Sequence, residues 1–226
     1  MSASLTDPHS LTFTPQEAKL VARLRTPLQV QRYLNSLPYN IEPTGATQRS
    51  FRGVVEHEWA HCMEAALFAA TVLEQHGYPP LLLSFESIDE LDHVIFVYRR
   101  AGRWGSVGRS RDPGLHGRRP VFATARSLAL SYVDPYVDYS GYVTGYAVVN
   151  IAAVMGKYDW RLARTNVWKV ERVLLNHPHR DIRTSSARIE RLRKSYRAYR
   201  AAHNGKKPLY YRNRDHWTAL PSEFCE

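Results

Sequence analysis

The stretch from Cys62 to Pro79 constrains the fold more than any other part of the chain. Its apolar residues Ala65, Ala66, Phe68, Ala69, Val72 and Leu73 recur at intervals of three and four, the spacing of a helix face. Gly77 and Pro79 supply the stop, the glycine as a C-cap and the proline because it cannot continue a helix. Three short apolar runs follow, at 81–85, 93–98 and 104–107, separated by acidic or glycine-containing turns. A helix leading into such runs predicts an α+β fold with an antiparallel meander.

The flanking elements are also signalled. Thr14-Pro15-Gln16-Glu17 has capping-box spacing with proline at the first helical position, predicting a helix over about 15–25. Thr26-Pro27 opens a second. Residues 38–52 hold two prolines and a glycine without apolar period and read as a loop that delivers the chain to Cys62. A helix around 124–133 and a strand around 143–151 complete a catalytic domain over 1–150. The remainder, 151–226, reads as a basic helical C-terminal extension packed on that domain. Between Arg180 and Arg214 stand twelve Arg or Lys against Asp181 and Glu190.

At 226 residues with 44% hydrophobic residues, the chain can bury one substantial core and is not of the disordered class. It has no run of about eighteen apolar residues, so no membrane span is expected. The first twenty residues lack a basic stretch followed by an apolar one, so export is not expected. The two cysteines, Cys62 and Cys225, do not suggest a disulfide framework, and a reducing cytoplasm fits. The net charge of +10 could draw an anionic partner, nucleic acid or an acidic protein, to the basic C-terminal helix.

Cys62 is the candidate nucleophile. At the first turn of a helix, unpaired backbone N–H groups and the dipole favour its thiolate, and the same amides can bond an oxyanion. Such a mechanism needs an imidazole and a polar group that fixes the imidazole's orientation. His93 opens the second strand, after Asp89-Glu90-Leu91-Asp92, and Asp112 follows the third in Ser110-Arg111-Asp112-Pro113-Gly114. If those strands are antiparallel neighbours, His93 and Asp112 fall at the same sheet end.

His61-Cys62-Met63-Glu64-Ala65-Ala66 with its helix, Gly77-Tyr78-Pro79-Pro80, Asp92-His93-Val94, Gly102-Arg103-Trp104 and Asp112-Pro113 together resemble the transglutaminase-like superfamily, whose core is similar to the papain-like fold. The resemblance covers roughly 15–150. It implies a helix-borne cysteine nucleophile on an antiparallel sheet, with Cys62, His93 and Asp112 as triad. It also implies acyl transfer or hydrolysis of an amide, ester or thioester through an acyl-enzyme, on a protein, peptide or small acyl substrate, with no metal or organic cofactor. In many members the aspartate lies closer to the tryptophan, where this chain has Gly108; Asp112 is eight residues beyond Trp104.

Other readings stand beside these. His57-Glu58-Trp59-Ala60-His61 fits the H-E-x-x-H pattern of a zinc hydrolase, although no third ligand stands at a family spacing and the helical period begins only near Cys62. A protein that kept the fold without its chemistry and binds an anionic partner is a further alternative. Cys62 could be a buried small hydrophobe and Asp112 a plain turn residue. Trp59 could wall the cleft or pack on the helix. Tyr132, in an aromatic stretch with Tyr136, Tyr139 and Tyr142, could be packing surface or a substrate-binding wall.

Overall fold

The computed structural model describes residues 11–90, 92–208 and 214–218. Two capped helices come first, α1 (Pro15–Arg23) and α2 (Pro27–Ser36). Each has proline in its first turn and a complete capping box, Thr14 with Glu17 and Thr26 with Gln29. The loop that follows is shorter than expected. Ser50 caps a third helix, α3 (Phe51–His57), which ends where Glu58 turns to φ 59°.

The next helix, α4 (Cys62–Glu74), is the centre of the molecule: every residue from Met63 to Glu74 is buried. A helix with that environment must be apolar all round, and its alanines let neighbours approach closely. Phe68 lies 5.1 Å from Phe51 and stacks on Tyr33 at 5.2 Å, tying α4 to α3 and α2.

Among the described residues one five-stranded sheet forms, in the order β3-β2-β1-β4-β5 and antiparallel throughout. Its strands are β1 (Leu81–Ser87), β2 (His93–Arg100), β3 (Arg103–Val107), β4 (Val143–Asn150) and the two-residue β5 (Arg180–Asp181). The fold is therefore α+β with an antiparallel sheet. Alternate strand residues divide between two cores. Leu82, Val94, Phe96 and Val149 face α4, and Leu83, Phe85, Ile95 and Val97 face α5 (Ala125–Tyr136).

The chain beyond 150 continues as α6 (Ile151–Met155), α7 (Trp168–Leu175) and α8 (Ser186–Ala202). Ile151, Trp160, Val167 and Leu174 belong to the same apolar core as α4. Arg161 forks onto Glu74 with two bonds of 2.7 Å, pinning this segment to the C-terminal end of α4. No helix among the described residues is long and apolar enough to cross a membrane.

Helix α8 uses much of its charge internally. Arg188 pairs with Asp134 at 2.5 Å, Arg193 donates to the Ser140 carbonyl at 2.6 Å, and Arg200 lies over Tyr139 and Tyr196. Arg191, Lys194 and Arg197 remain exposed.

Candidate active site

Cys62 is positioned by the cap of α4. His61 is the N-cap: its Nδ1 accepts from the Met63 amide at 3.2 Å, and Glu64 accepts from the His61 amide at 3.1 Å. Glu64 is fully buried and also accepts from Asn40 Nδ2, Thr47 Oγ1 and the Arg49 amide. One carboxylate thus binds the 40–49 loop to the helix that carries Cys62. The donors around it, with His61, hold Glu64 below the usual carboxylate range although burial opposes this.

Cys62 is partly exposed and lines a cleft of about 500 Å³. Burial pushes its thiol up, but hydrogen bonds from His61 and His93, together with their charges, bring it well below the ordinary thiol value. Burial likewise opposes charge on His61, and the Cys62 thiolate, Glu64 and the Thr47 carbonyl overcome it, raising its pKa to about 9. The His61 ring therefore has two roles. Neutral, with Nε2–H donating to the Thr47 carbonyl at 2.8 Å, it caps the helix through Nδ1. Protonated at both nitrogens, it gives up that cap and can donate to the thiolate.

His93 reaches the cysteine from the other side. As the first residue of β2 it has the parity of the α5 face, where its ring lies beside Phe85 and Tyr132. Its Nε2 donates to the Leu115 carbonyl at 2.9 Å, which leaves Nδ1 for Cys62. The site thus sits at the end of the sheet where β2 begins.

Tyr39 completes the surroundings of the thiol. An isolated parallel bridge between Tyr39 and Ala60 holds it beside the segment that precedes Cys62. Its hydroxyl accepts a hydrogen bond from the Cys62 amide, and burial keeps the phenol protonated. No pattern in the sequence marked Tyr39, and His61 stood in the motif around Cys62 with no role on the thiolate assigned to it.

Of the expected site residues, the structure brings Cys62 and His93 together and leaves Asp112 apart. The Asp112 carboxylate pairs with Lys207, and its backbone amide donates to Ser110 Oγ. The acceptor that orients His93 is a backbone carbonyl three residues further on. Position 108 could not have held the aspartate either: a Cβ there would stand 2.6 Å from Ile95 Cγ2.

Tyr132, expected at a substrate wall, is fully buried under the α5 face, with its hydroxyl on Ser106 Oγ and the His116 carbonyl. Trp59 is absent from the cleft lining, and its ring packs under the Arg49 guanidinium at 5.3 Å. The H-E-x-x-H reading is corrected by the backbone. A zinc-binding pair needs both histidines on one helix, but α3 ends at His57 and Glu58 is left-handed, so His61 begins a different helix. Among the described residues no three His, Cys, Asp or Glu side chains converge as a metal site. Cys225 lies outside the described residues.

The cleft wall facing Cys62 comes from α7 and the 39–48 loop, with Trp168, Leu174, Leu175 and Ile41 as its apolar part. Glu42, Glu90, Asp92 and Glu171 contribute carboxylates, and Arg111 one guanidinium.

No protein-family model matches the sequence, and no curated protein matches it. Among solved structures, the chain is similar to LapG of Legionella pneumophila, with 11% identity and a TM-score of 0.37 over 66% of this chain and 85% of that one. A likeness at that score carries no argument about chemistry.

Proposed function

We propose that this protein is a cysteine-dependent acyl-transfer enzyme or hydrolase. The observation that carries the reading is that Cys62 opens a buried helix, lines a cleft and stands beside two histidines from different elements, His61 and His93, which hold its thiol well below the ordinary value. A buried cysteine acting only as a small hydrophobe needs none of these.

In this reading the Cys62 thiolate attacks the carbonyl carbon of an amide, ester or thioester, and the carbonyl π-electrons move onto oxygen. On this reading the Cys62 amide, released from the Tyr39 hydroxyl, and the Tyr39 O–H bond that oxyanion. As the tetrahedral intermediate collapses, the bond to the leaving group breaks and Nδ1–H of the His93 imidazolium gives it a proton. The resulting thioester on Cys62 is then attacked by water or an amine, with neutral His93 taking the proton from that nucleophile, and the C–S bond breaks to release the acyl product and restore the thiolate and imidazolium. The Leu115 carbonyl, rather than Asp112, holds the imidazole in the productive orientation.

The apolar wall of Trp168, Leu174, Leu175 and Ile41 suits an acyl donor with an apolar side chain, as in a peptide or a small acyl ester. The excess of carboxylates over Arg111 in the lining disfavours anionic substrates. On α8, Arg191, Lys194 and Arg197 are the exposed cations that an anionic partner could use.

The test is the pH dependence of iodoacetamide labelling at Cys62, read by intact mass in wild type and His93→Ala, followed by turnover of a panel of thioesters and p-nitrophenyl esters. Labelling well below an ordinary thiol's range, lost in His93→Ala, is the expected result. A Cys62 that labels only as a free thiol near about pH 8.5 would end the catalytic reading.

A further inference from the structure

His93 is oriented by a peptide carbonyl, which can do so only if its loop is rigid. The chain from 112 to 118 turns through a short 3-10 segment, Pro113–Leu115, with the Leu115 amide on the Asp112 carbonyl at 2.9 Å. Three successive carbonyls matter here. The middle one, Leu115, accepts from His93. The two that flank it, Gly114 and His116, accept from the two terminal nitrogens of Arg118 at 2.6 and 2.7 Å.

Arg118 is itself almost wholly buried. Its Nε donates to Ser131 Oγ at 3.3 Å, and its guanidinium lies between the rings of Tyr132 and Trp217, 4.1 and 4.4 Å from their centroids. Trp217 comes from the far end of the chain and is paired with Arg118 through an isolated antiparallel bridge. The backbone of Arg118 is held in turn by Ser106, whose Oγ accepts from the Arg118 amide at 2.8 Å. A planar fork with fixed donors matches two carbonyls in a way a single ammonium cannot.

We infer that Arg118 is a positioning residue for His93: by clamping the Gly114 and His116 carbonyls it fixes the Leu115 carbonyl on Nε2, and through it the orientation and tautomer of the imidazole that faces Cys62. The inference rests on the Cys62–His93 reading. A guanidinium thus does by way of the backbone what a carboxylate would do directly, with no second charge on the imidazole. His116 adds rigidity as a neutral ring, since burial and the Arg109 and Arg118 charges lower its pKa to about 3 while its Nε2 bonds the Ser110 carbonyl.

The experiment compares Arg118→Lys with wild type and His93→Ala, by the pH profile of Cys62 labelling and by long-range 1H–15N spectra of the His93 ring, with circular dichroism confirming the fold. Lysine keeps the charge and loses the fork. The expected result is a fall of about tenfold in labelling rate near pH 6 for Arg118→Lys, and loss of the single Nε2–H tautomer. A folded Arg118→Lys with the wild-type profile and tautomer would overturn the inference. If His93→Ala also keeps the wild-type profile, the Cys62–His93 reading is what has failed. Should Arg118→Lys not fold, the wild-type spectrum decides: His93 protonated at Nε2 is expected, and protonation at Nδ1 alone in the neutral ring overturns the assignment.

Discussion

On the α4 face of the sheet, Cys62 is placed by apolar packing and a helix cap; on the α5 face, His93 is placed by buried polar groups. The α4 side holds the larger core, in which Phe68, Leu67 and Leu73 are completely covered and α4 has no exposed face. The α5 side is smaller and carries Arg118, His116, Ser106 and Tyr132, all buried and cross-bonded. Dense apolar packing fixes where a helix lies, and a dipole at its end then acts on whatever residue opens it. Packing alone does not choose an imidazole tautomer, whereas a hydrogen bond to one ring nitrogen does.

The strongest way to break this comparison is to remove the base while leaving both cores intact. His93→Ala should lower turnover of an activated ester by about 10⁴-fold, with His61→Ala costing much less because the base from the α5 face is still present. Equal losses in the two variants, measured as kcat/KM, would mean that both histidines share the proton transfer and that the faces are not specialised.

Next in size is a change confined to the α4 face. Phe68→Ala deletes a ring that packs on Phe51 and Tyr33 and should cost about 3–5 kcal/mol in urea unfolding. The folded fraction should keep the wild-type pH profile of Cys62 labelling, because the cap and the histidines are untouched. A displaced profile would show that the core, and not the cap, sets the thiolate.

The coupled charges give a pH signature. His61 is raised to about 9 by Cys62 and Glu64, so its contribution to stability is fully present below its ordinary value of about 6.5 and lost as pH rises through about 9. Cys62 is depressed, so its contribution is present above the ordinary thiol value and lost as pH falls through its folded value. The two slopes oppose each other between about pH 6.5 and 8.5, and beyond that the histidine's loss stands alone. Thermal melts of the wild type should therefore fall as pH passes about 9, and Cys62→Ser should lose most of that limb. A limb of equal size in Cys62→Ser would place the cause of the His61 shift elsewhere.

The same contrast explains what could be read from the sequence. The α4 face was legible because apolar period, glycine and proline stops and capping spacing are properties of neighbouring letters. Cys62 and the strand opened by His93 follow from them. On the α5 face the essential acceptor is the carbonyl of Leu115, and a backbone carbonyl has no letter. Asp112 supplied a plausible carboxylate in its place, but in the fold that carboxylate pairs with Lys207. Tyr132 read as a possible wall because an aromatic stretch announces amphipathic rings, not which neighbour each ring meets. The contributions of Trp168, Leu174 and Leu175 to the cleft depend on contacts more than a hundred residues away from Cys62, and the H-E-x-x-H match was undone by one left-handed residue, Glu58.

The smallest expected effect is the sharpest probe of the polar face. Tyr132→Phe removes one hydroxyl and no volume to speak of. The His116 carbonyl keeps its bond from Arg118, and Ser106 Oγ keeps its bond from the Arg118 amide, so no buried acceptor is left wholly unpaired, and the one loss is the acceptor of the Ser106 O–H. The stability cost should be about 1 kcal/mol, well below that of Phe68→Ala. Even so, the loop that presents the Leu115 carbonyl loses one of its restraints, and labelling of Cys62 near pH 6 should slow by a few-fold. Phe68→Ala is thus expected to change stability without changing reactivity, while Tyr132→Phe changes reactivity at little cost in stability. If Tyr132→Phe lowers the melting temperature and leaves the labelling profile unmoved, the buried polar groups under β2 serve the fold alone, and the division of labour between the two faces does not hold.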